Sequence, residues 1–169
     1  MKQVPAHPFI LLSSLLLCLA GCGTARDGNS DTARPSKGIG ELHLLAVPLA
    51  INSDQSPGAD GFAVKVYAVD PTRPKTQPIG EGTLEILMFD GLIPGTFPGT
   101  NSPRHVWTYP AIQLPRYKHT GIVGDGYEFT PHWTTNQPKA DQITVAARYR
   151  PLQGPPVLSA PSIITVVSQ

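Results

Sequence analysis

Disulfide chemistry, net charge and long apolar runs are all scarce in this chain, and each shortage closes off a class of function. There are 2 cysteines in 169 residues. That is too few for the disulfide framework of a small secreted scaffold, and they form neither a CxxC pair nor a Cys/His zinc pattern. The balance of 13 basic against 12 acidic side chains gives no basic stripe of the kind nucleic-acid binding needs, so no nucleic-acid partner is expected. Charged residues make up 15% of the chain, below the roughly 25% of an ordinary soluble domain. No apolar run approaches the ~20 residues of a membrane-spanning helix. What abounds instead is proline, with 19 residues, and glycine, with 16, and prolines this frequent do not permit long helices. At roughly 100–200 residues per domain, the length suits one domain with accessories rather than a multidomain enzyme.

The longest apolar run is Phe9–Ala20, FILLSSLLLCLA. It fits the roughly 7–15 residues of a signal-peptide h-region, with Lys2 as a minimal positive n-region. The run ends in Leu19-Ala20-Gly21-Cys22, and LAGC resembles the lipobox of bacterial lipoproteins at all four positions. That resemblance implies cleavage just before Cys22, diacylation of its sulfur and often a third chain on the new amino terminus. The physics agrees, because one acyl chain binds a membrane only marginally whereas two or more anchor it stably. Residues 1–21 are then a lipoprotein signal peptide, and Cys22 is the lipidation site that holds the protein on a membrane of the cell envelope. Gly23 and Thr24 stand where an Asp would favour inner-membrane retention, which implies the outer membrane if the organism is diderm. Cleavage removes Cys18 and Lys2, leaving no free thiol and equal numbers of basic and acidic groups.

Residues 22–40 supply the lipidated Cys and then GTARDGNSDTARPSKGIG. With almost nothing large and apolar to bury, this segment is expected to be a flexible tether spanning roughly 20–25 Å on average. From Glu41 the hydrophobic period becomes two. Phe62, Val64, Val66 and Ala68 alternate with Ala63, Lys65, Tyr67 and Val69, and similar alternation covers Leu84–Phe89 and Ile143–Arg150. Further strand candidates are Leu42–Ile51, Val106–Leu114, Tyr127–Trp133 and Ser162–Val167, separated by Gly/Pro/Asn/Asp turn signals. The expected fold over residues 41–169 is all-β: an antiparallel β-sandwich of about seven strands, immunoglobulin-like or transthyretin-like, with a small barrel as the alternative that periodicity does not separate. Asp125-Gly126 has the composition of a two-residue hairpin turn after Ile122-Val123. Pro48, Pro110 and Pro115 fall inside strand-like runs and should mark edges, bulges or strand switches.

A search for chemistry returns little. His43, His105, His119 and His132 lie too far apart in sequence for a local zinc motif, and no metal site, cofactor or catalytic residue is expected. Asp54, Asp60 and Asp125 occupy loop-like segments without a calcium-loop pattern and should bond their own backbone. Ser102, His105 and Asp90 make a triad only on paper. Glu81, Glu85 and Glu128 suit solvated strand faces better than a glycosidase cleft. Arg116, Lys118, Arg148 and Arg150 read as a basic patch or as a solvated face. The aromatic segments are the most suggestive. Trp107, Tyr109 and Trp133 form a possible binding surface for glycan or protein if they face outward, and sandwich core if they face inward.

The leading expectation is a non-enzymatic, lipid-anchored envelope lipoprotein whose partners are the membrane, through Cys22, and an envelope protein or glycan. Two alternatives accompany it. One is a carbohydrate-binding module, suggested by the aromatic segments. The other follows from FAVKVYAVD at Phe62–Asp70, which resembles the first strand of the transthyretin-like outer-membrane lipoprotein of type VI secretion systems and implies an accessory role in secretion.

Overall fold

The computed structural model describes residues 38–54, 56–93 and 97–166. The expected signal peptide, Cys22 and the tether up to residue 37 lie outside the described residues. Strands that alternate with period two carry one apolar face each, and two such faces must meet to leave water. Ten strands do this among the described residues: β1 (Glu41–Ala46), β2 (Val64–Asp70), β3 (Arg73–Thr76), β4 (Thr83–Asp90), β5 (His105–Pro110), β6 (Lys118–Gly121), β7 (Gly124–Phe129), β8 (Gln142–Arg150), β9 (Val157–Leu158) and β10 (Ser162–Thr165). They form two five-stranded sheets. The first has the order β1-β2-β7-β6 with β3 also on β2, and the second β10-β8-β4-β5 with β9 also on β8. Every strand pair is antiparallel. The fold is the expected antiparallel β-sandwich. Ten strands replace about seven because β3, β6 and β9, only two to four residues long, are too short to show an alternating pattern.

The alternating sets meet between the sheets. Leu42, Leu44, Val64, Val66, Ala68, Tyr127 and Phe129 of the first sheet face Leu84, Ile86, Met88, Ile143, Val145, Ala147, Tyr149 and Ile164 of the second, all buried in one cluster. Each large side chain removed from water contributes about 1.5–3 kcal/mol toward offsetting the entropy of folding. β4 is buried on both faces. On its outer side Phe97 meets Phe89 edge to face at 5.3 Å, and Glu85 accepts hydrogen bonds from Arg148 Nε and from Arg150 Nε at 3.0 Å.

Three local expectations are corrected. The run Val106–Leu114 is a strand only to Pro110, and Ala111–Tyr117 is a 3-10 helix that buries Leu114 and contains Pro115. It carries the chain from the second sheet to the first. Asp125-Gly126 is not a turn; both residues lie in β7, opposite Thr120 and His119, and the hairpin tip is Ile122-Val123 between paired Gly121 and Gly124. Leu42–Ile51 is β1 and then a change of sheet. Thr165 N–H donates to Pro48 O at 2.9 Å and Ala50 N–H to Thr165 O at 2.8 Å. Pro48 therefore marks a strand switch, and Pro110 ends an edge strand, as prolines lacking a ladder donor should.

The described chain enters at one end of the sandwich. Gly40 N–H donates to Val69 O at 3.1 Å and its Cα faces the Pro71 ring, while Ile39 is already buried. Gly38–Gly40 share a cleft with Pro151, Gln153 and Pro155 of the β8–β9 turn. Thr83 of β4 pairs with both Arg150 and Pro110, which puts the start of the 3-10 helix at this end too.

Candidate binding groove on the outer face of the first sheet

The period of two that sends Leu42 and Leu44 inward sends Glu41, His43 and Leu45 outward, and the same rule exposes Lys65, Tyr67 and Val69 on β2. Register sets them directly opposite one another: Glu41 with Val69, His43 with Tyr67, Leu45 with Lys65. Outward-facing Tyr67 is nonetheless only 6% exposed, and Gly126 supplies the reason. A Cβ on Gly126 would stand 2.6 Å from the Tyr67 ring, so the missing side chain is the space the ring occupies. Thr76 and Lys75 of β3, Val123 at the hairpin tip and the Asp70-Pro71 turn complete a groove of about 500 Å³.

Its floor is apolar and its charges lie at the rim. Glu41 Oε1 is 3.4 Å from His43 Nε2. On the same face Glu128 pairs with Lys65 at 3.4 Å and with His119 at 3.9 Å. On the other side of β6–β7, the side of Tyr127, Asp125 accepts from Thr120 Oγ1 at 2.7 Å and pairs with Lys118 at 3.2 Å. The Thr120 hydrogen bond, and then Lys118, hold the Asp125 carboxyl below the usual carboxylate range. Exposed pairs like these contribute at most about 1 kcal/mol each, so they add little to the stability of the fold. An apolar trough with few oriented charges suits capture of an extended segment with apolar anchors.

The residues singled out in the sequence are placed as follows. Trp133 is buried, stacked on Phe62 at 6.1 Å, with its indole N–H donating to Ala59 O at 3.0 Å. Trp107 is half-buried, edge-on to the same Phe62 at 5.4 Å, and its N–H donates to His132 O at 3.2 Å. Tyr109 is half-buried against Phe129 at 4.3 Å and Tyr117 at 5.1 Å. These three rings pack on the core rather than forming an outward stacking platform. Asp90 is committed to the backbone N–H groups of Lys139 and Ala140 at 2.9 and 3.0 Å, and Asn136 Nδ2 lies 2.7 Å from His105 Nδ1, so no triad is assembled. Asp54 and Asp60 accept backbone N–H bonds from Ser56 and Ser53, the turn role expected of them. Arg148 and Arg150 share Glu85 on a strand face. Among the described residues no group of three or more His, Cys, Asp or Glu side chains is placed to hold a metal ion.

Sequence reading missed the groove, although it named the strands that build it. The available signal was apolar side chains at outward positions, with Leu45 following Leu44 and Val69 following Ala68. A half-solvated face does not ordinarily carry these. Fold and groove together define a two-sheet β module with an apolar groove on one outer face. No protein-family model, curated protein or solved structure matches the chain.

Tyr109 gives the cluster a pH signature. Burial, and secondarily the neighbouring Tyr117, raise its pKa from 10.0 to about 12. A group whose folded pKa is raised contributes stability that is fully present below its unfolded pKa and is lost as pH rises through the folded value. The melting temperature should therefore fall between pH 10 and about 12, and Tyr109→Phe should flatten part of that decline. Superimposable wild-type and variant profiles across that window would show that Tyr109 is not the group responsible.

Proposed function

We propose that this protein is a lipid-anchored lipoprotein of the bacterial envelope whose β-sandwich is a non-enzymatic binding module. The observation that carries the anchor is LAGC at the end of a twelve-residue apolar run, followed by a polar segment without large apolar residues. The binding role rests on the groove over Tyr67. Its volume and apolar floor suit an extended segment of another envelope protein, and its mixed rim charges suit a partner without strong net charge. A protein partner is favoured over a glycan, because the ring faces of Trp133 and Tyr109 are engaged by Phe62 and Phe129. In a diderm organism, Gly23 and Thr24 after Cys22 favour the outer membrane. The nine residues Phe62–Asp70 that resemble a secretion-system lipoprotein strand are accounted for by the in-out alternation of β2 and support no separate role.

Two measurements test the proposal. Cys22→Ser should abolish acylation and move the protein from the membrane to the soluble fraction; a variant still acylated and sedimenting with membranes would sink the anchor. A photo-crosslinker at Leu45, which is exposed and lines the groove, should join the intact lipoprotein to an envelope protein. The same crosslinker at Ile163, exposed on the second sheet, should not. Equal yields at the two positions would remove the groove as the binding surface.

A further inference from the structure

The exposed aliphatic side chains are unevenly distributed. Ile122 is fully exposed, Ile112 88%, Leu152 72% and Val123 66%, and no other large hydrophobic residue described exceeds 56%. Ile122 and Val123 form the β6–β7 hairpin tip, Leu152 lies in the β8–β9 turn and Ile112 in the first turn of the 3-10 helix, and all three segments lie at the end where the described chain enters. Val123 shares the groove with Pro71, which packs on Gly40. Leu152 lies in the β8–β9 turn beside Gly38–Gly40. Ile112 follows Ala111, whose N–H donates to Gly82 O at 3.0 Å, next to the Thr83–Arg150 pair.

We infer that this end of the sandwich rests on the lipid bilayer, with the hairpin tip, the β8–β9 turn and the 3-10 helix dipping their aliphatic tips into its surface as a second attachment beside the acyl chains of Cys22. The inference rests on the anchor proposed above. The described chain begins at Gly38, at this end, 16 residues after Cys22, so an anchor at Cys22 holds this end nearest the membrane. The distribution of the tips selects lipid over a protein surface. The four side chains project from three separate segments, and a fluid apolar phase needs no complementary pocket and gains from each tip independently. Attachment by acyl chains alone is strengthened by a second contact through effective concentration, without requiring either to be strong.

The test uses the intact acylated lipoprotein in vesicles of phosphatidylethanolamine and phosphatidylglycerol that carry a quencher on their acyl chains. An environment-sensitive fluorophore is attached at Ile122→Cys, at Leu152→Cys, or at Leu49→Cys, an exposed position at the opposite end where the chain changes sheets. Quenching at positions 122 and 152 should exceed that at position 49 at least threefold, and replacing Ile122 and Val123 by Ser should reduce the quenching at position 152. Equal quenching at all three positions on an acylated protein overturns the inference. The mass of the N-terminal peptide reports acylation separately. Quenched tips on an unacylated chain would keep the bilayer contact and sink the lipid anchor, whereas unquenched tips on an acylated chain would do the reverse.

Discussion

Phe62→Ala should destabilise the domain by about 3–5 kcal/mol, the range for removing a fully buried aromatic ring, and shift its tryptophan emission to the red. Phe62 has no exposed surface and stands between the two tryptophans of the chain, edge-on to Trp107 and stacked on Trp133. Its backbone N–H donates to Pro131 O at 3.1 Å, so this junction holds the start of β2 against the segment after β7. Truncation opens a cavity between two indoles whose N–H groups remain tethered to Ala59 and His132. Those bonds restrain the rings from collapsing into the void, and incomplete collapse puts such a site at the costly end of the range. Denaturant titration followed by tryptophan emission reads both effects at once. A loss under about 1 kcal/mol, well short of the range for a buried aromatic, would mean that the aromatic cluster does not unite the sheets at this end.

Gly82→Ala is the second change with a large expected effect, about 3 kcal/mol or more, because two independent penalties coincide. Gly82 has φ +74°, and a Cβ there would lie 2.3 Å from Arg150 O and 3.1 Å from Pro151 Cα. The obstacles are backbone atoms, which cannot turn aside as a side-chain end can. Gly82 leads into β4, whose first residue pairs on both sides, so a displacement is shared by β5 and β8. Gly154 is the natural control. Its φ is +96° and a Cβ there meets nothing within 4 Å, so Gly154→Ala should cost only the left-handed penalty of about 1–2 kcal/mol. Equal losses for the two variants would refute the clash with Arg150 as the source of the larger effect.

These residues also show what could be read from the chain alone. The alternation in Val64–Ala68, Leu84–Met88 and Ile143–Tyr149 is a property of each strand by itself, because one face must be apolar whichever strand it pairs with. It yielded the two-layer architecture without knowledge of the pairing. The hairpin turn failed for the opposite reason. Asp-Gly is a local cue, but Gly126 is needed where the Tyr67 ring lies across β7, a requirement set by a residue 59 positions earlier in the chain. The turn fell instead on two β-branched residues flanked by Gly121 and Gly124. Val106–Leu114 looked uniform because a 3-10 turn leaves little trace in a two-residue period. The groove left only faint marks, at Leu45 and Val69, since outward apolar residues acquire meaning only when neighbouring strands bring them together. Trp107, Tyr109 and Trp133 admitted two readings because alternation specifies which residues share a face and leaves open which way that face points.

The switch of β1 from one sheet to the other has a mechanical consequence. Under the anchor proposed at Cys22, tension from the membrane would enter the sandwich at the start of β1. The six register pairs between Glu41–Ala46 and Val64–Val69 then resist together as one sliding contact instead of opening one at a time. Past Pro48 the same strand is fastened to Thr165 of the other sheet, so strain entering one layer is shared with both. A domain built this way can bear a pull on its amino terminus and keep its shape.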